Sequence, residues 1–75
     1  MKQIHRLTCV IEREDDSYVS SCPELDIASQ GATIEEARRN LVEAVELYLA
    51  SADPGEAAQH VGSEVYVTSI EVTVG

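Results

Sequence analysis

The stretch "SQGATIEEARRNLVEAVELYL", Ser29 to Leu49, decides how the rest of the chain must be arranged. Thr33 stands just before "IEEA" with Glu36 three residues on, the capping-box pattern of a helix start. Glu35 and Glu36 fall in the first turn, where unpaired backbone N–H groups favour negative charge. Ile34, Ala37, Leu41, Ala44, Val45 and Tyr48 then recur at intervals of three and four, one apolar stripe over about four turns. Arg38, Arg39, Asn40, Glu43 and Glu46 form the solvated face, and "DPG" at Asp53 to Gly55 stops the helix. A helix with a single apolar stripe must bury it against another layer, and the flanking segments are rich in strand formers.

Upstream, Gln3 to Arg13 carries Leu7, Cys9 and Ile11 on one face at period two, which predicts a strand. "EDDS", Glu14 to Ser17, is a polar turn, and "YVSSC" from Tyr18 resumes the extended pattern as the second arm of a hairpin. A symmetric loop makes paired residue numbers sum to 31, so Cys9 stands opposite Cys22. Such neighbours have Cβ atoms ~5 Å apart, close enough for oxidation to bridge them, and in a reducing compartment they read as core thiols. Pro23 ends the second strand, because it cannot donate to a ladder. "LDIAS", Leu25 to Ser29, reads as a third short strand, and "QG" turns the chain, with Gly31 supplying an unusual backbone angle.

Downstream, "EAAQHVGS", Glu56 to Ser63, is either a loop or one helical turn. "EVYVTSIEVTV", Glu64 to Val74, reads as a long final strand. Its even positions Tyr66, Thr68, Ile70, Val72 and Val74 carry most of the bulk, opposed by Val65 and Val67, so a second subunit is expected to cover part of it. The whole predicts one α+β domain over residues 1–75, with β-β-β-α-β order and the helix on one face of an antiparallel sheet.

Composition narrows the function. A chain of 75 residues buries only ~60% of its unfolded surface, and with no Trp or Phe its core must be aliphatic. Small domains in that position often self-associate, so a dimer or larger homo-oligomer is expected. Fourteen acidic against five basic residues give a net charge of −9, which repels nucleic-acid backbones and suits a basic protein partner. No apolar run approaches the ~20 residues of a membrane span, and "MKQIHRLTCV" lacks the pattern of a signal peptide, so a cytoplasmic location is expected.

Catalytic patterns are weak. Cys22 with His5 or His60 offers a nucleophile and a base, but nothing in their spacing specifies proximity or an orienting third group. Cys9, Cys22, His5 and His60 have no paired metal-ligand spacing, and Gly31, Gly55, Gly62 and Gly75 make no phosphate-binding loop. No enzyme activity, catalytic residue, metal or cofactor is therefore expected. Arg38 and Arg39 are too few for a nucleic-acid patch.

Taken in order, "DSYVSSCPELDIASQGATIEEARRNLVEAVELYL", Asp16 to Leu49, resembles the signature of HicB-like antitoxin domains. The similarity runs through a Tyr-Val strand opening, a Cys-Pro-Glu-Leu step, a Ser-Gln-Gly turn, a Thr-x-x-Glu-Ala helix start and a Glu-Leu-Tyr-Leu helix end. It implies a partial ribonuclease-H-like fold without nuclease activity, and an acidic protein that sequesters a small basic RNA-cleaving toxin of HicA type. Such antitoxins usually carry a C-terminal DNA-binding module, which nothing in this sequence matches, so promoter binding is not carried over. The acids expected to meet the partner are Glu12, Glu14, Asp15, Asp16, Glu24 and Asp26, and the apolar and aromatic residues expected in self-association are Tyr66, Ile70, Val72 and Val74. The competing reading is an orphan domain of the same fold that self-assembles or binds a small ligand, with no toxin.

Overall fold

The computed structural model describes residues 5–51 and 64–75. It is an α+β fold: strands β1 (Val10–Glu14), β2 (Ser17–Cys22) and β3 (Ile27–Gly31) form an antiparallel sheet in the order β1-β2-β3, followed by helix α1 (Ile34–Ser51). The expected turn before residue 56 and the segment 56–63 lie outside the described residues, as does His60.

The first hairpin has the expected register. Val10 pairs with Ser21 and Glu14 with Ser17, so every pair sums to 31, and Asp15 and Asp16 make the two-residue loop. Asp15 takes φ of 55°, a left-handed conformation that Asp tolerates better than most residues. The ladder starts at Val10, however, so residues 5–9 run beyond it, and Cys9 is exposed while Cys22 is buried. Only one of the two is a core thiol. The helix lies mainly over β3, less over β2, and touches β1 little, so the β1 side of the same sheet face stays open.

The third strand starts later than its apolar pattern suggests. Residues 23–26 form the turn, Asp26 adopting φ of 55°, and the strand occupies Ile27–Gly31. Leu25, expected in the strand, folds under the turn into the core, with its N–H donating to the Cys22 carbonyl at 3.2 Å. Gly31 is needed for space and not for an unusual angle. A Cβ there would stand 2.5 Å from the Ala37 nitrogen and 2.8 Å from the Glu36 carbonyl carbon, because the first turn of the helix passes directly over the strand end.

The helix start follows the sequence. The Glu36 N–H donates to the Thr33 hydroxyl at 3.0 Å, and the Ala37 N–H to the Thr33 carbonyl at 2.9 Å. Ala37 and Leu41 are buried, and Val45 and Tyr48 pack against the Cys22–Leu25–Leu41 core beside Leu7 and Ile27. Two polar residues also seat the helix. Ser20, fully buried, donates its hydroxyl to the Ala37 carbonyl at 2.7 Å, and Asn40, expected on the solvated face, donates to the Gln30 carbonyl at 2.8 Å. Ile34, the first residue of the stripe, is instead more than half exposed.

The predicted fourth strand is the main departure. Among the described residues, 64–75 pair with no strand, and Tyr66, Val67, Ile70, Val72 and Val74 are exposed. β-Branched composition reports suitability for a pleated, half-buried surface. It cannot provide the neighbouring backbone that a strand needs to pair its N–H and C=O groups.

Candidate functional site

Two surface features emerge from this arrangement. At one end of the sheet, the β1–β2 hairpin presents Glu12 and Glu14 from β1 and Asp15 and Asp16 from its loop, all exposed. Glu12 and Glu14 share one face by strand alternation. Arg13 points to the other face, its Nε donating to the Asp15 carbonyl at 3.3 Å, and the Ser17 hydroxyl donates to the Glu14 carbonyl at 3.1 Å. These bonds hold the loop and leave the carboxylates free. Asp15 and Asp16 also border a shallow depression of about 530 Å³ shared with Gln30, Gly31 and Glu36. Glu36 therefore joins this acidic end. The capping pattern accounts for Glu36 in the sequence, yet the cap uses its backbone N–H, so its carboxylate remains available.

Glu24 and Asp26 sit at the opposite end of β2, about 20 Å away at ~3.3 Å per residue. The six acids thus do not form one patch. Asp26 is exposed, whereas Glu24 is half-buried and structurally committed. Its Oε2 accepts from both the N–H and the hydroxyl of Thr8 at 2.8 Å, and its Oε1 accepts from the Cys22 thiol at 3.6 Å. Glu24 ties residues 5–9, which have no ladder, to the β2–β3 turn.

Burial raises the Glu24 pKa, but the hydrogen bonds from Thr8, its own backbone and Cys22 together outweigh it, and the net direction is down. A carboxyl with a lowered folded-state pKa stabilises the fold above its unfolded value, and the contribution is lost as pH falls through the folded value. Urea midpoints measured from neutral pH down to about pH 3 should therefore fall less steeply for Glu24→Gln than for the parent chain. Superimposable pH profiles would show that these bonds contribute nothing to stability.

The second feature is a groove of about 1070 Å³ along the open side of the helix, between Leu7, Cys9 and Cys22 on one wall and Leu41, Val42, Val45 and Leu49 on the other. His5, Arg6 and Arg38 stand around it. His5 and Cys22 both line it, with no hydrogen bond between them. The thiol is also poorly suited to attack. Burial, and then the neighbouring Glu24 charge, push its pKa up, which keeps it protonated. Among the described residues no cluster of His, Cys, Asp and Glu is placed to hold a metal ion, and no helix is long and apolar enough to cross a membrane.

The chain resembles two small bacterial proteins. One is a UPF0150 protein of Synechocystis sp., 48% identical over 52 residues that span 67% of this chain and 66% of that protein. The other is a UPF0150 protein of Helicobacter pylori, 42% identical over 53 residues that span 69% of this chain and 74% of that protein. No protein-family profile matches the chain. No solved structure matches it either.

Proposed function

The chain belongs to the UPF0150 family, and from that premise we propose that it is a HicB-like antitoxin-type protein, which binds a small basic RNA-cleaving toxin of HicA type and holds it inactive. The observation that carries the reading is the acidic end of the sheet: Glu12, Glu14, Asp15 and Asp16 exposed on one hairpin, beside Glu36, in a chain of net charge −9. The paired hairpin and its two-residue loop set four of these charges in one register, which favours recognition of a matching basic surface. The HicB-like order of motifs from Asp16 to Leu49 supports the same role. Catalysis then belongs to the partner, and this chain contributes shape and charge.

Charge of this kind acts first on encounter. Opposite fields speed association, and salt screens them, while buried apolar contacts set the lifetime of the complex. With the basic protein encoded beside its gene, the chain should form a complex whose association rate falls as salt is raised. Replacing Glu12, Glu14, Asp15 and Asp16 together by Gln or Asn should slow association by about tenfold or more at low ionic strength, with a smaller effect on dissociation. Stopped-flow fluorescence across a salt series measures both rates. Absence of binding to any adjacent basic product would remove the antitoxin role, and binding with unchanged rates in the quadruple variant would move the interface elsewhere.

A further inference from the structure

We propose that the groove between residues 5–9 and the helix is the seat for residues 64–74 of a second copy of this chain, so that two chains exchange their C-terminal segments and each completes the other's sheet. Among the described residues two complementary surfaces are left uncovered. The groove wall is apolar, with Leu7, Val42, Val45 and Leu49, and Val42 on the helix is 44% exposed. The C-terminal segment offers matching side chains: Tyr66, Ile70, Val72 and Val74 are 83%, 80%, 74% and 91% exposed, and once the segment pairs as a strand their even spacing puts them on one face. No residue of 64–75 is among those lining the groove.

Three further observations favour a second copy as the occupant. First, β1 is an edge of the sheet, so its outer backbone groups can take up an added strand, and a β-branched segment is suited to that place. Second, charge is complementary. Arg6, Arg38 and His5 stand around the groove against one acid, Glu46, in a strongly acidic chain, and the segment brings Glu64 and Glu71. Third, the chain has not closed on itself. Its radius of gyration is 14.6 Å, against about 11 Å for a compact chain of this length. Only Cys22, Leu25, Ala37 and Leu41 make up the buried apolar core among the described residues, so an exchanged segment adds apolar burial that one copy lacks. A reciprocal exchange is isologous and closes at two chains.

The test uses the full chain and no toxin, so its outcome is independent of the antitoxin reading. Sedimentation equilibrium at micromolar concentration should give a dimer. Ile70→Glu with Val72→Glu should weaken dimerisation at least tenfold while helix content by circular dichroism is kept, since both side chains are exposed in the single chain. Val42→Glu on the groove wall should do the same. Mixing the two variants should then recover a mixed dimer, because an intact segment from one meets an intact groove on the other. A monomeric parent chain would overturn the inference, as would a dimer unaffected by either variant or a mixture in which no dimer reappears.

Discussion

Leu41→Ala is expected to cost about 2–5 kcal/mol, the range for truncating a buried Leu when its neighbours relax only partly. Leu41 is 4% exposed and joins Cys22 and Leu25 at the centre of the core, so it touches all three layers of contact: the strand end, the turn and the helix. A domain of this size has a total stability of roughly 4–11 kcal/mol, so the loss removes a large part of it. The core gives little chance of repair, because among the described residues its buried members are few and mostly small. Urea unfolding followed by circular dichroism should show a midpoint lowered by about a fifth at the least, or no folded baseline at 37 °C. A shift under ~1 kcal/mol would mean that the helix is held chiefly by something other than this packing.

Gly31→Ala is the second large effect, and its sign is the informative part. At a glycine with an ordinary φ, alanine normally stabilises by ~0.4–1 kcal/mol, since the unfolded chain loses freedom. Gly31 is not among the residues with positive φ. Here the added Cβ would meet the Ala37 nitrogen at 2.5 Å, the Glu36 carbonyl carbon at 2.8 Å and the Glu36 Cβ at 2.9 Å. Two of those atoms are backbone in the capped first turn of α1, so relief requires the helix to lift off β3. That movement also stretches the Ser20–Ala37 and Asn40–Gln30 hydrogen bonds, at 2.7 Å and 2.8 Å. A loss of about 1–3 kcal/mol is expected, as for other overpacked contacts. The measurement is again the denaturation midpoint, and a gain in stability would show that the helix does not approach the sheet this closely.

The two variants probe different parts of the same joint, and they separate what was legible in the sequence from what was not. Leu41 lies in the 3,4-spaced stripe and is read directly as core. The helix cap at Thr33 and the hairpin register are equally legible, because each depends on residues within a few positions of one another. Gly31, Ser20 and Asn40 were not read for what they do. Gly31 looked like a turn residue, Ser20 like an unremarkable strand position and Asn40 like surface. Their roles arise from the close passage of the helix over β2 and β3, a distance that no local pattern encodes.

The acidic residues divide the same way. Glu12, Glu14, Asp15 and Asp16 stay together because they are neighbours in one hairpin. Glu24 looked like their equal by composition, but the turn places it against Thr8 and Cys22, where it fastens residues 5–9 to the β2–β3 turn. Glu36 joins the acidic end across a distance in sequence that composition does not bridge.

By itself the sequence determined those features whose physics is local: the strand-turn-strand register, the capped amphipathic helix, the α+β class and the acidic charge. The tertiary structure decided which side of the sheet the helix covers, and with it the burial of Cys22, the exposure of Cys9 and the open groove beside β1. It also decided that residues 64–74 pair with none of the described strands. Strand propensity is a property of side chains, whereas a strand exists only where another backbone meets its hydrogen bonds, and that condition is set by the assembled fold.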